Sequence, residues 1–216
     1  MERRENLIGV YGGTFDPIHL GHVHLIQSLL KTGLFKKILI VPAKQNPLKQ
    51  TRSQVPTELR LKMLQASAQE IGDPRVEIWD GELNRQGLSF MKDTLEELTQ
   101  HNLGELTLII GNEVFKDFHQ WKEPQRILNL ANLAIVQRTG ESVDVDLVLK
   151  NCGVAHGVKT SHWIKTFEIN ALPYSATKIR ESLAKTWKTG DLSQTPQGIQ
   201  RLVWLLIKEN QLYAVN

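Results

Sequence analysis

The chain has 216 residues, of which 41% are hydrophobic and 23% charged, a balance typical of globular proteins. The formal net charge of +3 is too small to indicate a nucleic-acid-binding protein, and no Lys/Arg cluster interleaved with aromatic residues is present. The single cysteine, Cys152, excludes a disulfide within the chain, and no apolar run approaches the ~20 residues of a membrane span. We therefore expect one cytoplasmic domain over residues 1–216, with no nucleic-acid or membrane partner.

The first motif lies between an apolar run and an amphipathic run. Leu7–Tyr11 predicts a buried strand, and Val23 to about Thr32 predicts a helix. Between them stands Gly12-Gly13-Thr14-Phe15-Asp16-Pro17-Ile18-His19-Leu20-Gly21-His22. Glycines at a strand end let the backbone approach an anion, and the helix start offers free N–H groups. His19 and His22, three residues apart, can both face one phosphate.

These residues predict a nucleotide site, although a plain glycine turn with a capping or surface histidine remains open. A P-loop is excluded because no Gly-x-x-x-x-Gly-Lys follows the strand. A dinucleotide fingerprint is not supported because Gly-x-Gly-x-x-Gly is absent.

Strands and helices alternate along the rest of the chain. Further strands are predicted at Lys37–Val41, Val76–Trp79, Leu106–Ile110, Leu133–Val136 and Thr166–Ile169. Further helices are predicted at about Thr57–Ile71, Phe90–Gln100 after an N-cap at Ser89, Pro124–Leu130, Pro173–Lys185 and Pro196–Glu209. Residues 141–161 are the hardest to interpret, with a short helix at 144–151 and a strand within 154–160 both compatible. Continuous apolar strands joined by helices predict an α/β fold with a doubly wound parallel sheet.

A second motif opens the helix that begins near Pro173. Ser175 can cap this helix, and Thr177 and the free N–H groups can face an anion. Arg180 lies one turn further on and can add a charge-assisted contact. An ordinary Ser cap with a surface arginine is the alternative on these residues alone.

Residues 12–22 resemble the nucleotidyltransferase superfamily that carries a His-x-Gly-His motif. The fuller Gly-Gly-Thr-Phe-Asp-Pro-Ile-His-x-Gly-His resembles one branch closely, the bacterial nicotinate-nucleotide adenylyltransferases. The resemblance implies a Rossmann-like nucleotidyltransferase fold and spans nearly the whole chain. It also implies that the Ser175–Arg180 segment holds the triphosphate opposite the first motif, with Ala176 replacing a common serine.

The middle of the chain departs from the family pattern. Leu48 replaces the histidine that usually precedes the basic residue at Lys49, and Phe90 and Met91 replace Tyr and Thr beside the expected pyridine pocket. Glu113 stands where the family carries an aspartate that accepts from ribose, after Gly111. The resemblance implies that Trp121 stacks on the pyridine and that Arg138 approaches the mononucleotide phosphate. A core tryptophan and a surface arginine are the alternatives.

The implied reaction is adenylyl transfer between ATP and a pyridine mononucleotide, with Mg²⁺ accompanying ATP and no dedicated metal ligands in the sequence. Catalysis is expected from His19, His22, Lys49 and Arg180. ATP is expected to bind Gly12, Gly13, Thr14, Phe15, His19, His22, Gly111, Glu113, Ser175, Thr177 and Arg180; the acceptor is expected to bind Phe90, Met91, Trp121 and Arg138. A turn or cap role is expected for Asp16.

Three alternatives stay open at this point. The acceptor could be nicotinamide mononucleotide, or the chain could be another superfamily enzyme such as phosphopantetheine adenylyltransferase or a cytidylyltransferase. It could also be a nucleotide-binding regulator with a decayed acceptor site. Homo-oligomerisation is equally open.

Overall fold

The computed structural model describes residues 7–45, 47–48, 53, 55–154, 162–170 and 172–214. The strands within these residues are β1 (Leu7–Gly13), β2 (Phe35–Pro42), β3 (Val76–Ile78), β4 (Glu105–Gly111), β5 (Asn132–Arg138) and β6 (Ile164–Ile169). The helices are α1 (Leu20–Lys31), α2 (Thr57–Ile71), α3 (Gly81–Asn84), α4 (Met91–Gln100), α5 (Asn112–Phe115), α6 (Pro124–Leu130), α7 (Val145–Asn151), α8 (Ala176–Thr189) and α9 (Arg201–Glu209), with a 3-10 turn at Phe118–Gln120.

The six strands form one parallel sheet in the order β3-β2-β1-β4-β5-β6. The chain winds outward from β1 to β3 and then returns to build β4 to β6 on the other side. This arrangement confirms the predicted doubly wound α/β fold. In such a sheet the ligand crevice lies at the carboxyl ends of the strands where the winding reverses, between β1 and β4.

Both faces of the sheet are buried, which explains why the strands are continuously apolar. In β2, Ile38 and Ile40 pack in the cluster that includes residues of α1, α2, α8 and α9. Leu39 and Val41 pack in the opposite cluster, with residues of α4 and α6. Successive strand residues point to opposite faces, so each face needs its own apolar set.

Two predicted helix starts are wrong. Ser89 does not cap α4: its Oγ accepts from the Lys44 N–H at 2.9 Å, and Phe90 occupies the N-cap position. The last helix begins at Arg201 rather than Pro196, because both oxygens of Glu70 accept backbone N–H groups at its start. The distances are 3.1 Å to Arg201 N and 2.7 Å to Leu202 N.

Other differences concern short elements and boundaries. Helix α1 begins at Leu20, earlier than predicted, and α8 extends to a Gly190 cap with φ +72°. Helices α3 and α5, four residues each, were not predicted. The predicted short helix near residue 145 is confirmed, whereas most of the strand proposed within 154–160 lies outside the described residues. No described helix combines the length and apolarity needed to cross a membrane.

Candidate active site

A cavity of about 910 Å³ opens at the carboxyl edge of the sheet, where β1 and β4 lie side by side. Its wall combines the turn after β1, the end of β4, the start of α4, the segment around Trp121 and the first turn of α8. The winding of the sheet thus brings segments far apart in sequence to one place.

His19 and His22 form a reciprocal cap at the start of α1. The Gly21 N–H donates to His19 Nδ1 at 3.2 Å, and the His19 N–H donates to His22 Nδ1 at 3.2 Å. Because each Nδ1 accepts a hydrogen bond, the neutral rings carry their proton on Nε2. The two rings stack with centroids 3.7 Å apart. Burial lowers the pKa of His19 to about 4, so that ring is neutral at pH 7.

The two histidines occupy different depths. His22 lines the cavity, whereas His19 is only 7% exposed and is not among the lining residues. A Cβ atom at Gly21 would lie only 3.0 Å from the His19 ring, which explains why a glycine stands between the two histidines. His22 is therefore the histidine of the pair that faces the cavity, and His19 holds its ring in place.

The turn after β1 brings backbone close to the cavity. A Cβ on Gly12 would lie 2.6 Å from the methyl carbon of Met91, so only glycine fits there without displacing Met91. Thr14 lines the cavity, and its buried Oγ1 has no hydrogen-bond partner among the described residues. Phe15 has a positive φ of +48° and is 3% exposed, with its ring edge-on to His22 at 5.1 Å. Strained backbone of this kind persists where the surroundings fix it, often at functional sites.

The second predicted motif meets the first at the wall of the cavity. Ser175 Oγ accepts from the Lys178 N–H at 3.3 Å, which confirms the predicted cap, although Ser175 itself does not line the cavity. Thr177 and Arg180 do line it. Arg180 Nη1 donates to the Asp16 carbonyl at 2.7 Å, so the two motifs touch directly.

Aromatic and apolar residues also line the cavity. Phe90, Met91 and Trp121, the residues predicted to bind the acceptor, are among them. The Trp121 indole nitrogen is buried and has no hydrogen-bond partner among the described residues. Leu48 also lines the cavity and is 47% exposed. The ammonium of Lys122, which was not predicted, lies 4.4 Å from the centroid of the Phe90 ring.

Some predicted site residues are not brought into the cavity. Arg138 ends β5 as an exposed residue and does not line it, so its predicted approach to the acceptor phosphate lacks geometric support. Glu113 is exposed on α5 and outside the lining, whereas Gly111, two residues earlier, is part of it. Lys49 lies outside the described residues.

Two buried charged residues near the site were assigned no role from the sequence. Arg60 is 1% exposed, and its Nη1 donates at 2.8 Å to the carbonyls of both Thr14 and Ala43, which ties together the turns after β1 and β2. Burial is the main reason that the pKa of Glu82 is raised, despite its hydrogen bond from Thr94. The sequence did carry one signal that Arg60 is buried: it lies on the apolar stripe of α2, one turn before Leu64.

Among the described residues, no group of three or more His, Cys, Asp or Glu side chains could hold a metal ion. The Asp16 carboxylate accepts a hydrogen bond from the Tyr213 hydroxyl at 2.7 Å.

Comparison with known proteins agrees with this geometry. Residues 10–182 match the family model described as Cytidylyltransferase-like. A protein of Hydrogenovibrio crunogenus, named as a probable nicotinate-nucleotide adenylyltransferase, is 32% identical over 96% of this chain and 97% of its own length. The chain belongs to the nicotinate-nucleotide adenylyltransferase family. A relative with the same name from Dictyoglomus thermophilum is 31% identical over 82% of this chain and 87% of its own length.

A solved structure shares the fold of this nicotinate-nucleotide adenylyltransferase family member. Plasmodium falciparum nicotinic acid mononucleotide adenylyltransferase, complexed with NaAD, superposes with a TM-score of 0.72. The superposition covers 97% of this chain and 98% of the Plasmodium chain, and the two sequences are 18% identical. At that identity the likeness establishes the fold alone, and it confirms the Rossmann-like nucleotidyltransferase architecture.

Proposed function

We propose that this enzyme transfers the adenylyl group of ATP to nicotinate mononucleotide, giving deamido-NAD and pyrophosphate in NAD biosynthesis. The observation that carries the proposal is that the two predicted phosphate motifs meet in one cavity that aromatic residues also line. Arg180 reaches the Asp16 carbonyl, and Trp121 and Phe90 line the same cavity. The names of the relatives, and the NaAD complex of the Plasmodium enzyme, support the same substrates.

The reaction needs no protein nucleophile. An oxygen of the acceptor 5′-phosphate forms a bond to the α-phosphorus of ATP, and the bond from that phosphorus to the bridging β-phosphate oxygen breaks. Pyrophosphate leaves with the electron pair. Catalysis then consists of positioning the two phosphates and stabilising the charge that develops.

At the ATP end, Nε2–H of His22 is the proposed donor to the developing charge, with His19 stacked behind it. The buried Thr14 hydroxyl and the backbone at Gly12 and Gly13 contact the phosphates. The start of α8, which Ser175 caps, offers N–H groups near Thr177 to the far end of the triphosphate. The guanidinium of Arg180, together with Lys49, neutralises the leaving pyrophosphate.

At the acceptor end, Trp121 supplies a stacking face for the pyridine, a contribution of roughly 0.5–1.5 kcal/mol. Phe90 and Met91 fill the walls beside it. The Lys122 ammonium lines the cavity over the Phe90 ring, where it complements an anionic acceptor. The nicotinate form carries one more negative charge than the nicotinamide form, so this cation favours the acid.

Mg²⁺ enters this proposal only as part of the ATP complex. Among the described residues, no group of three or more His, Cys, Asp or Glu side chains is placed to hold a resident metal ion.

The experiment that tests the proposal measures pyrophosphate release from ATP with a panel of acceptors. We expect release with nicotinate mononucleotide, less with nicotinamide mononucleotide, and none with phosphopantetheine or with no acceptor. Release only with phosphopantetheine, or ATP binding without release for every acceptor, would reject the proposed acceptor.

A further inference from the structure

A phenol from the turn after α9 reaches the first phosphate motif. The Tyr213 hydroxyl donates to Asp16 Oδ1 at 2.7 Å, across 197 residues of sequence. Both residues line the cavity. Burial is the main cause that raises the pKa of Tyr213 far above its ordinary value, and the nearby Asp16 charge adds to it. The phenol therefore stays protonated and can donate at any pH where the enzyme works.

Asp16 is held at two of its atoms from different directions. Its carboxylate accepts from Tyr213, and its backbone carbonyl accepts from Arg180 Nη1 at 2.7 Å. Two residues earlier, the Thr14 carbonyl accepts from the buried Arg60. Side chains from α2, α8 and the turn after α9 thus fix the segment that leads into the histidine cap.

The turn that presents Tyr213 is itself anchored to α8. Trp187 Nε1 donates to the Leu212 carbonyl at 2.9 Å. Since Trp187 and Arg180 both belong to α8, the contacts form a closed ring through Asp16, Tyr213, Leu212, α8 and back to Asp16. A closed ring restricts the movement of Asp16 relative to α8 more than either hydrogen bond does alone.

We propose that Tyr213 is a positioning residue for adenylyl transfer. By fixing Asp16, it holds the His19–His22 helix start and Arg180 on opposite sides of the triphosphate in the geometry that the reaction needs. The proposal rests on adenylyl transfer at this site. In the alternative, the phenol contacts the substrate directly. The double variant of Asp16 and Tyr213 described below distinguishes that alternative from the proposal.

The first variant is Tyr213→Phe, which keeps the ring and removes only the hydroxyl. Because a displacement of about 1 Å can slow a reaction by about 10²-fold, a loosened but still packed segment should lower kcat/KM for ATP by about 10-fold. The KM of the acceptor, which binds at the other end, should change by less than about 2-fold. The midpoint of thermal unfolding should fall by only about 2–4 °C, as for one lost hydrogen bond in a chain of this size.

Two further variants test whether the effect travels through the ring of contacts. In an Asp16→Ala background, adding Tyr213→Phe should change kcat/KM for ATP by less than about 2-fold, because the partner is already gone. Trp187→Phe removes the indole donor to Leu212 from a residue outside the cavity lining, and it should lower kcat/KM for ATP in the same direction by a smaller factor.

The matched control is Glu70→Gln, which weakens the start of α9 without touching Asp16 or α8. It should lower the unfolding midpoint and leave the kinetic constants near those of the wild type. The proposal is overturned if Tyr213→Phe keeps kcat/KM for ATP within about 2-fold, or if its effect multiplies with that of Asp16→Ala, which would indicate direct contact. Wild-type activity with a different acceptor would reject the proposed substrate alone, since the same variants can be compared with that acceptor.

Discussion

The two nitrogens of His22 have separate tasks, and two amide variants can separate them. Nδ1 accepts from the His19 N–H at 3.2 Å and caps α1, whereas Nε2–H belongs to a ring that lines the cavity. In His22→Asn the amide oxygen can replace Nδ1, but no group reaches the position of Nε2. In His22→Gln the longer amide can place a donor near the Nε2 position, but it no longer accepts the His19 N–H at the start of α1.

The expected magnitudes follow from these contacts. Loss of one donor to developing charge lowers kcat by about 10²–10³, or about 2.7–4 kcal/mol, so we expect this loss in His22→Asn with nearly unchanged stability. His22→Gln should retain a much larger share of kcat but lose about 1 kcal/mol of folding free energy, as expected for one lost hydrogen bond of the capping box at α1. His22→Ala should lose both the donor and the capping-box hydrogen bond.

The assay combines single-turnover pyrophosphate release at saturating ATP with urea unfolding of each variant. ATP binding, measured by titration, should remain in all three, because the donor acts mainly as charge develops. If His22→Asn turned over within about threefold of the wild type, Nε2 would not be the donor and the catalytic assignment would be wrong.

Four further results are expected. Arg180→Ala should weaken ATP binding and slow the reaction more than Arg180→Lys, because the planar guanidinium can bind the Asp16 carbonyl and phosphate oxygens at the same time. Equal ATP affinity in the wild type and Arg180→Ala would refute this prediction. The pKa of His19 is about 4 in the folded protein and about 6.5 in the unfolded chain, so the unfolded state binds more protons between these two values. The free energy of unfolding of the wild type should therefore fall by up to about 3 kcal/mol as the pH drops from 6.5 to 4. Urea unfolding of His19→Asn should lack this pH dependence. Leu48→His should lower the KM of the acceptor and leave that of ATP nearly unchanged in steady-state assays, because Leu48 lines the cavity where the family carries a phosphate donor. Glu70→Gln should cost about 1–2 kcal/mol in urea unfolding, since an ionised carboxylate holds two N–H groups at the start of α9.

Local patterns predicted the elements that local interactions determine. The strands followed from continuous apolar runs, and the capped start of α8 followed from Ser175, whose hydroxyl needs only the N–H three residues on. Ser89 had the same residue type in the same kind of context, yet its hydroxyl accepts from Lys44, 45 residues earlier. A serine that caps a helix and a serine that accepts a long-range hydrogen bond look alike in sequence, because the distant donor can be identified only when the fold is known.

The site divides in the same way. The histidine motif predicted the part of the cavity wall formed by residues 11–16 and His22, where strand, turn and helix start are contiguous. Glu113 and Arg138 were placed by comparison with the family pattern, but the short helix α5 and the end of β5 leave them outside the cavity. Arg60 acts through carbonyls of two different turns, which no spacing within α2 could indicate.

The first motif is the earliest part of the described chain to be synthesised and the last to be completed. Its helix start is contiguous in sequence, but β1 pairs with β2 and β4, and Asp16 waits for Arg180, 164 residues later, and for Tyr213, 197 residues later. Contacts at such separations close large loops, which slows folding and defers it until most of the chain exists. A ribosome-bound chain that stops short of α8 would therefore carry an exposed, incompletely held histidine turn, and nucleotide binding should mature only after the turn that follows α9 has left the exit tunnel.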